Sequence, residues 1–196
     1  MYIFTDFIYI KNTILILHIK GGDFMRSLSM EVTHVASYLE KFKREILEMI
    51  EKSSKVFQEI TDTDTSDKNY VDSVRKKIKD YDKEFQKDFE YQDEEFKLFI
   101  QDLEDIAKHK NDEYVIYSLR TYAAIERELK DINKKKLKKL IDNIEDSEKY
   151  ADGDNDFVIV IAYKNMLSNI EKYKKRLDTT IDKLNKITKL KEDDEE

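Results

Sequence analysis

The chain of 196 residues has no cysteine, no proline, no tryptophan and three glycines. Without cysteine there is no disulfide, thiol nucleophile, thiolate zinc site or cysteine-ligated cluster. That fits a cytoplasmic protein. Proline and glycine are the main helix breakers, and their scarcity leaves helices uninterrupted; a β or α/β domain needs more of both at its turns. Only three histidines are present, a thin supply of the commonest transition-metal ligand. Charged and hydrophobic residues make up 40% each. High charge also marks disordered chains, so the apolar residues decide. They are large (Ile, Leu, Phe, Tyr) and recur at regular spacing. A net charge of −7 argues against broad nucleic-acid binding, which favours a basic surface. The Lys, Asn and Ile bias points to an AT-rich genome. We read the source as bacterial, with a phage or other mobile element as a candidate carrier.

Residues 1–24, "MYIFTDFIYIKNTILILHIKGGDF", differ from the rest. As structure they read as a β-hairpin turning at Lys11-Asn12. They lack the basic start and small-residue cleavage site of a signal peptide. Asp6, Lys11 and Lys20 interrupt them too often for a membrane span. The peptide Lys20-Gly21-Gly22-Asp23 offers a further reading. The codons AAA GGA GGT GAT would encode it, and they contain GGAGG, the extended bacterial ribosome-binding sequence. On this reading residues 1–24 are a translated leader outside the fold, and Met25 or Met30 is the start.

After Met30 the pattern is helical. Val32, Val35, Leu39, Phe42, Ile46, Met49, Ser53, Val56 and Ile60 follow steps of three and four. This predicts a helix over about 30–60, closed by the polar "TDTDTSDKN". A second helix is predicted over 69–109, with the stripe Val71, Val74, Ile78, Tyr81, Phe85, Phe89, Gln92, Phe96, Phe99, Leu103 and Ile106. Two successive steps of four at Tyr81-Phe85-Phe89 break its strict heptad. Its aromatic centre predicts packing among several helices. A third helix over 113–150 uses Tyr122, Ile125, Leu129, Ile132, Leu137, Leu140 and Ile144. Gly153 can take the left-handed conformation that closes a helix. A fourth over 155–190 uses Ile159, Tyr163, Met166, Ile170, Tyr173, Leu177, Thr180, Leu184 and Ile187. Residues 191–196, "KEDDEE", read as a solvated acidic tail. The resulting expectation is an all-α chain, an elongated antiparallel four-helix bundle, with two hairpins completing their core by dimerising as the alternative.

Candidate chemistry is sparse. Glu31 and His34 have the Glu-x-x-His spacing of di-iron bundles, but such sites need two such motifs and two further carboxylates. His34 and His109 therefore read as surface residues, and no metal or cofactor is expected. The acidic runs Asp62–Asp67 and Asp152–Asp156 lack the Gly at position six and the Glu at twelve of a calcium loop. They read as caps. Lys134–Lys139, "KKKLKK", is the one basic cluster. Leu137 lies within the helix register and Asp131, Asp142 and Glu145 flank the run, so it reads as a solvated face rather than a nucleic-acid or phospholipid contact. There is no phosphate loop, dinucleotide turn, nucleophile elbow or His-Glu-x-x-His.

The sequence thus predicts a non-enzymatic helical protein that binds a protein partner or itself, without nucleic acid and without a membrane span. Candidate contacts are the aromatic stripe Tyr81, Phe85, Phe89, Phe96 and Phe99, together with Phe157, which opens the apolar "FVIVIAY". The stripe reads first as the domain's own core, because it shares the helix register, and second as a groove for a partner helix. A secreted or surface-associated stalk and a metal-binding bundle are the alternatives.

Overall fold

The computed structural model describes residues 23–64, 66–109, 111–151 and 157–189. Among them the chain is helical apart from short turns, with no strand. The elements are α1 (Asp23–Thr61), α2 (Tyr70–Tyr91), α3 (Asp93–Lys108), α4 (Glu113–Asp131), a π-helical turn (Ile132–Leu137), α5 (Lys138–Tyr150) and α6 (Phe157–Thr188). α1 starts at Asp23 and so takes in the last two residues of the expected leader. The hairpin and leader readings otherwise fall on residues 1–22, outside the described residues. So do the calcium-loop reading of Asp152–Asp156 and the acidic tail.

Two interruptions divide the expected second and third helices. Gln92 separates α2 from α3, next to the two steps of four that unsettle the heptad. The restart is favoured by Asp93, Glu94 and Glu95 in the first turn of α3, since carboxylates stabilise the positive end of a helix dipole. The second interruption has a plainer cause. Ile132 and Leu137 are five residues apart and both are buried. An α-helix cannot hold that spacing on one face, but a π turn, with hydrogen bonds from i to i+5, can. The wider turn absorbs one extra residue and returns Leu140 and Ile144 to the core.

α1 and α6 each pack against every other helix, whereas α2 and α3 make at most marginal contact with α4, the π turn and α5. The aromatic helix, expected to pack among several helices, packs against both α1 and α6, and those two hold the centre. The reason is the width of their buried faces. α6 buries Ala162, Asn169, Arg176 and Ile181 beside its predicted stripe, and α1 buries Tyr38 and Ile50 beside its own.

Side-chain pairs give the directions. His34 with Asp102 and Lys52 with Asp88 set α1 antiparallel to α2 and α3. Tyr122 donates to the Val32 carbonyl and Lys43 pairs with Glu128, so α4 runs parallel to α1. α6 runs parallel to α2 and α3 through Gln86–Asn169 and Asp93–Arg176. It opposes α4 and α5 through Glu126–Thr188 and Glu148–Lys164.

Candidate functional site

The aromatic stripe faces the protein's own interior. Tyr81, Phe85 and Phe99 are buried, and Phe89 and Phe96 pack partly buried against the same core. Phe99 stacks on Tyr38 with centroids 4.3 Å apart. Phe85 meets Tyr173 edge-on at 4.9 Å. The Tyr81 hydroxyl is 2.9 Å from Ser53 Oγ, which explains the one polar member of the α1 stripe. Tyr81, Phe85 and Phe99, expected as candidate partner contacts, are covered by α1 and α6. Aromatic edge-to-face and stacked pairs of this kind add to simple burial.

Phe89 and Phe96 carry a cation. The guanidinium carbon of Arg176 lies 3.5 Å from the Phe89 centroid and 5.0 Å from that of Phe96. The same guanidinium donates to the Phe89 carbonyl at 3.2 Å and to Asp93 Oδ1 at 2.9 Å. Arg176 therefore clamps the end of α2 to the start of α3 across the Gln92 break. Its side chain is 7% exposed against 42% for Asp93, so the cation is the buried member. Lys97 and then Arg176 hold the Asp93 carboxyl below the usual carboxylate range.

Beside this clamp, a cleft of about 160 Å³ opens between α1, α2 and α6, lined by Glu45, Glu48, Lys52, Asp88, Gln92 and Tyr173 among others. Lys52 bridges to Glu84 at 2.5 Å and Asp88 at 3.3 Å. Tyr173 donates to Gln92 Oε1 at 3.3 Å. Burial raises the Glu45 carboxyl, with Lys41 opposing that shift from 3.7 Å. Lys41 also bonds Glu95, which raises the ammonium. Burial likewise pushes up the phenols of Tyr38, Tyr81 and Tyr173, keeping them protonated. Lys41 with Glu45 and Glu95, Lys52 with Glu84 and Asp88, and Tyr173 with Gln92 are paired with one another. Their evident chemistry is to fix the register of three helices.

The other candidates fall elsewhere. His34 Nδ1 meets Asp102 at 2.6 Å and His109 Nδ1 meets Asp112 at 3.3 Å. Among the described residues no three metal-ligating side chains converge. Asp64 Oδ1 accepts from the backbone and hydroxyl of Ser66, and Asp67 Oδ1 accepts from the Asn69 amide. These are turn bonds between residues two apart; the expected capping role is not seen, because Asn69, the N-cap of α2, makes no side-chain capping bond.

On the outside, Phe157 is 66% exposed and Ile161, one helical turn on, is 43% exposed. Lys164 pairs with Glu148, which brings the last turn of α5 beside the opening turns of α6. Tyr150, two residues beyond Glu148, is 86% exposed. Phe157 and Ile161 thus present an exposed apolar strip on the first turns of α6. Arg176 and Asn169 were missed as functional candidates. Asn169 donates to Asp82 Oδ1 and accepts from Gln86 Nε2, each at 2.7 Å. Ala162, Asn169 and Arg176 recur at intervals of seven, the heptad signal of a second buried row.

No protein-family description, curated protein or solved structure matches the chain. Among the described residues no helix is long and apolar enough to cross a membrane.

Proposed function

We propose that the chain is a non-enzymatic protein-interaction protein, built as an elongated four-helix bundle whose helices alternate in direction along the chain. α2 with α3 makes one member of the bundle, and α4, the π turn and α5 make another. Its role is to hold a rigid helical surface against a protein partner or a second copy of itself. The observation that supports this best is the exposure of Phe157 and Ile161, one helical turn apart at the start of α6. Large apolar side chains grouped on an otherwise charged surface mark interaction sites. Of the residues singled out from sequence, Phe157 is the one that remains a strong candidate contact. We keep the cytoplasm as the proposed location, since a chain without cysteine needs no oxidising compartment to fold.

The test is a Phe157→Glu, Ile161→Glu double variant, compared with wild type by light scattering across concentration and by crosslinking in cells of the source organism. Wild type should self-associate or yield a discrete crosslinked partner. The variant should lose that product and keep the same thermal midpoint. A wild-type protein that stays monomeric and uncrosslinked, or a variant with unchanged products, counts against the proposal.

A further inference from the structure

The basic run that reads as a solvated face in the sequence has a specific setting in the fold. Lys134, Lys135 and Lys136 lie in the π turn, and Lys138 and Lys139 open α5. All five are exposed, as are Arg120 and Arg127 on the same rod. Between residues 117 and 141 the exposed carboxylates are Glu128 and Asp131, two against those seven cations. Both are already paired, Glu128 with Lys43 and Asp131 with Lys135. Arg120, Arg127, Lys134, Lys136, Lys138 and Lys139 make no ion pair among the described residues. A chain of net charge −7 therefore carries one strongly positive stripe on the outward side of α4, the π turn and α5.

We propose that this stripe docks a short acidic segment of a protein partner. The proposal is independent of the apolar strip formed by Phe157 and Ile161. Its length comes from the geometry. Arg120 to Lys139 spans roughly 28 Å at 1.5 Å per residue, which an extended peptide of about eight residues covers. Exposed Glu113 bounds the stripe at one end, and Asp142 and Glu145 bound it at the other. Charges interact over a Debye length of about 8 Å at physiological salt. A peptide confined to the stripe meets seven cations and two carboxylates that are already paired. A long duplex or a bilayer surface would also lie against the flanking carboxylates and the rest of an acidic protein. Lysine rather than arginine dominates the stripe, which suits a flexible field of point charges to an acidic run more than to planar, bidentate recognition.

The test is fluorescence anisotropy of the full chain with labelled octaglutamate, beside a short DNA duplex and vesicles containing phosphatidylserine. The variant is Lys134→Glu, Lys138→Glu. Both lysines are exposed and unpaired, so its thermal midpoint should match wild type. Octaglutamate should bind at low salt, weaken as salt rises, and bind the variant at least about tenfold more weakly. Absence of octaglutamate binding at low salt, or equal binding by the variant, overturns the proposal. Tighter binding of duplex or vesicles than of octaglutamate also overturns it, in favour of a phosphate-binding face.

Discussion

Ile132 and Leu137 lie five residues apart and are buried on the same side of one helical rod. The π turn between them is the local answer to one surplus residue. Deleting Lys135 should therefore restore a regular α-helix and keep both side chains in the core. It also removes the exposed pair with Asp131, worth about 0.5 kcal/mol at most. The expected result is a stability within about 1 kcal/mol of wild type in urea unfolding. Deleting Lys175 is the control. It rotates the rest of α6 by about 100° relative to the core, and it should unfold the chain. Equal losses for the two deletions would refute this account of the π turn.

Arg176 holds the junction of α2 and α3 through Asp93, the Phe89 carbonyl and the Phe89 ring. Arg176→Ala removes all three contacts and leaves a space in the core. The expected loss is about 2–4 kcal/mol in chemical unfolding. Asp93→Asn should cost less, about 1 kcal/mol or under, because that carboxylate is 42% exposed and partly screened by water. Arg176→Lys keeps the charge but cannot lie flat on the ring, so its loss should fall between the two. The reverse ranking of alanine and asparagine variants would show that charge pairing, not the buried cation, holds the junction.

Glu45 is raised above the ordinary glutamate value, first by burial. The folded state thus keeps its proton to higher pH than the unfolded state does. Between the two values the unfolded chain binds fewer protons, so the contribution of this group falls as pH rises and levels off above the folded value. Glu45→Gln removes the penalty. The variant should be more stable than wild type at pH 7, and the gap should close as pH falls to the ordinary glutamate range. Urea midpoints for both proteins across that range would check it. A variant less stable than wild type at neutral pH would mean that Lys41 and Arg176 outweigh burial and the Glu95 carboxylate and favour the ionised form after all.

Leu98 and Phe99 are sequence neighbours with opposite settings, 57% and 0% exposed. Phe99→Ala should cost about 3–5 kcal/mol, whereas Leu98→Ala should stay within about 0.5 kcal/mol. The comparison separates a stripe that forms the core from one that waits for a partner helix. A nearly neutral Phe99→Ala would return the stripe to the surface.

Much of the fold was legible because helices advertise themselves by spacing. Eight of the nine predicted α1 positions are buried, and the ninth, Val56, packs partly buried against the core. The step of five at Ile132-Leu137 was visible in the letters, and an α-helical reading passed over it. The break at Gln92 had only a weak sign in the two steps of four at Tyr81-Phe85-Phe89 and the acidic Asp93-Glu94-Glu95 that follows it. Burial of Tyr81, Phe85 and Phe99 was favoured by their shared register and is found, although periodicity gives a face and not what covers it. Arg176 and Asn169 were hidden by their polarity, although the interval of seven that links them to Ala162 was there to read.

The lack of substantial contact between α2 with α3 and α4 with α5 has an energetic corollary. The two flanks share a wall, α1 with α6, and communicate only through it. Losses from Ile78→Val on one flank and Ile144→Val on the other should simply add, without the coupling seen between touching residues. The molecule is then two separable thermodynamic compartments on a common partition. Substitutions can accumulate on the basic flank without retuning the aromatic one.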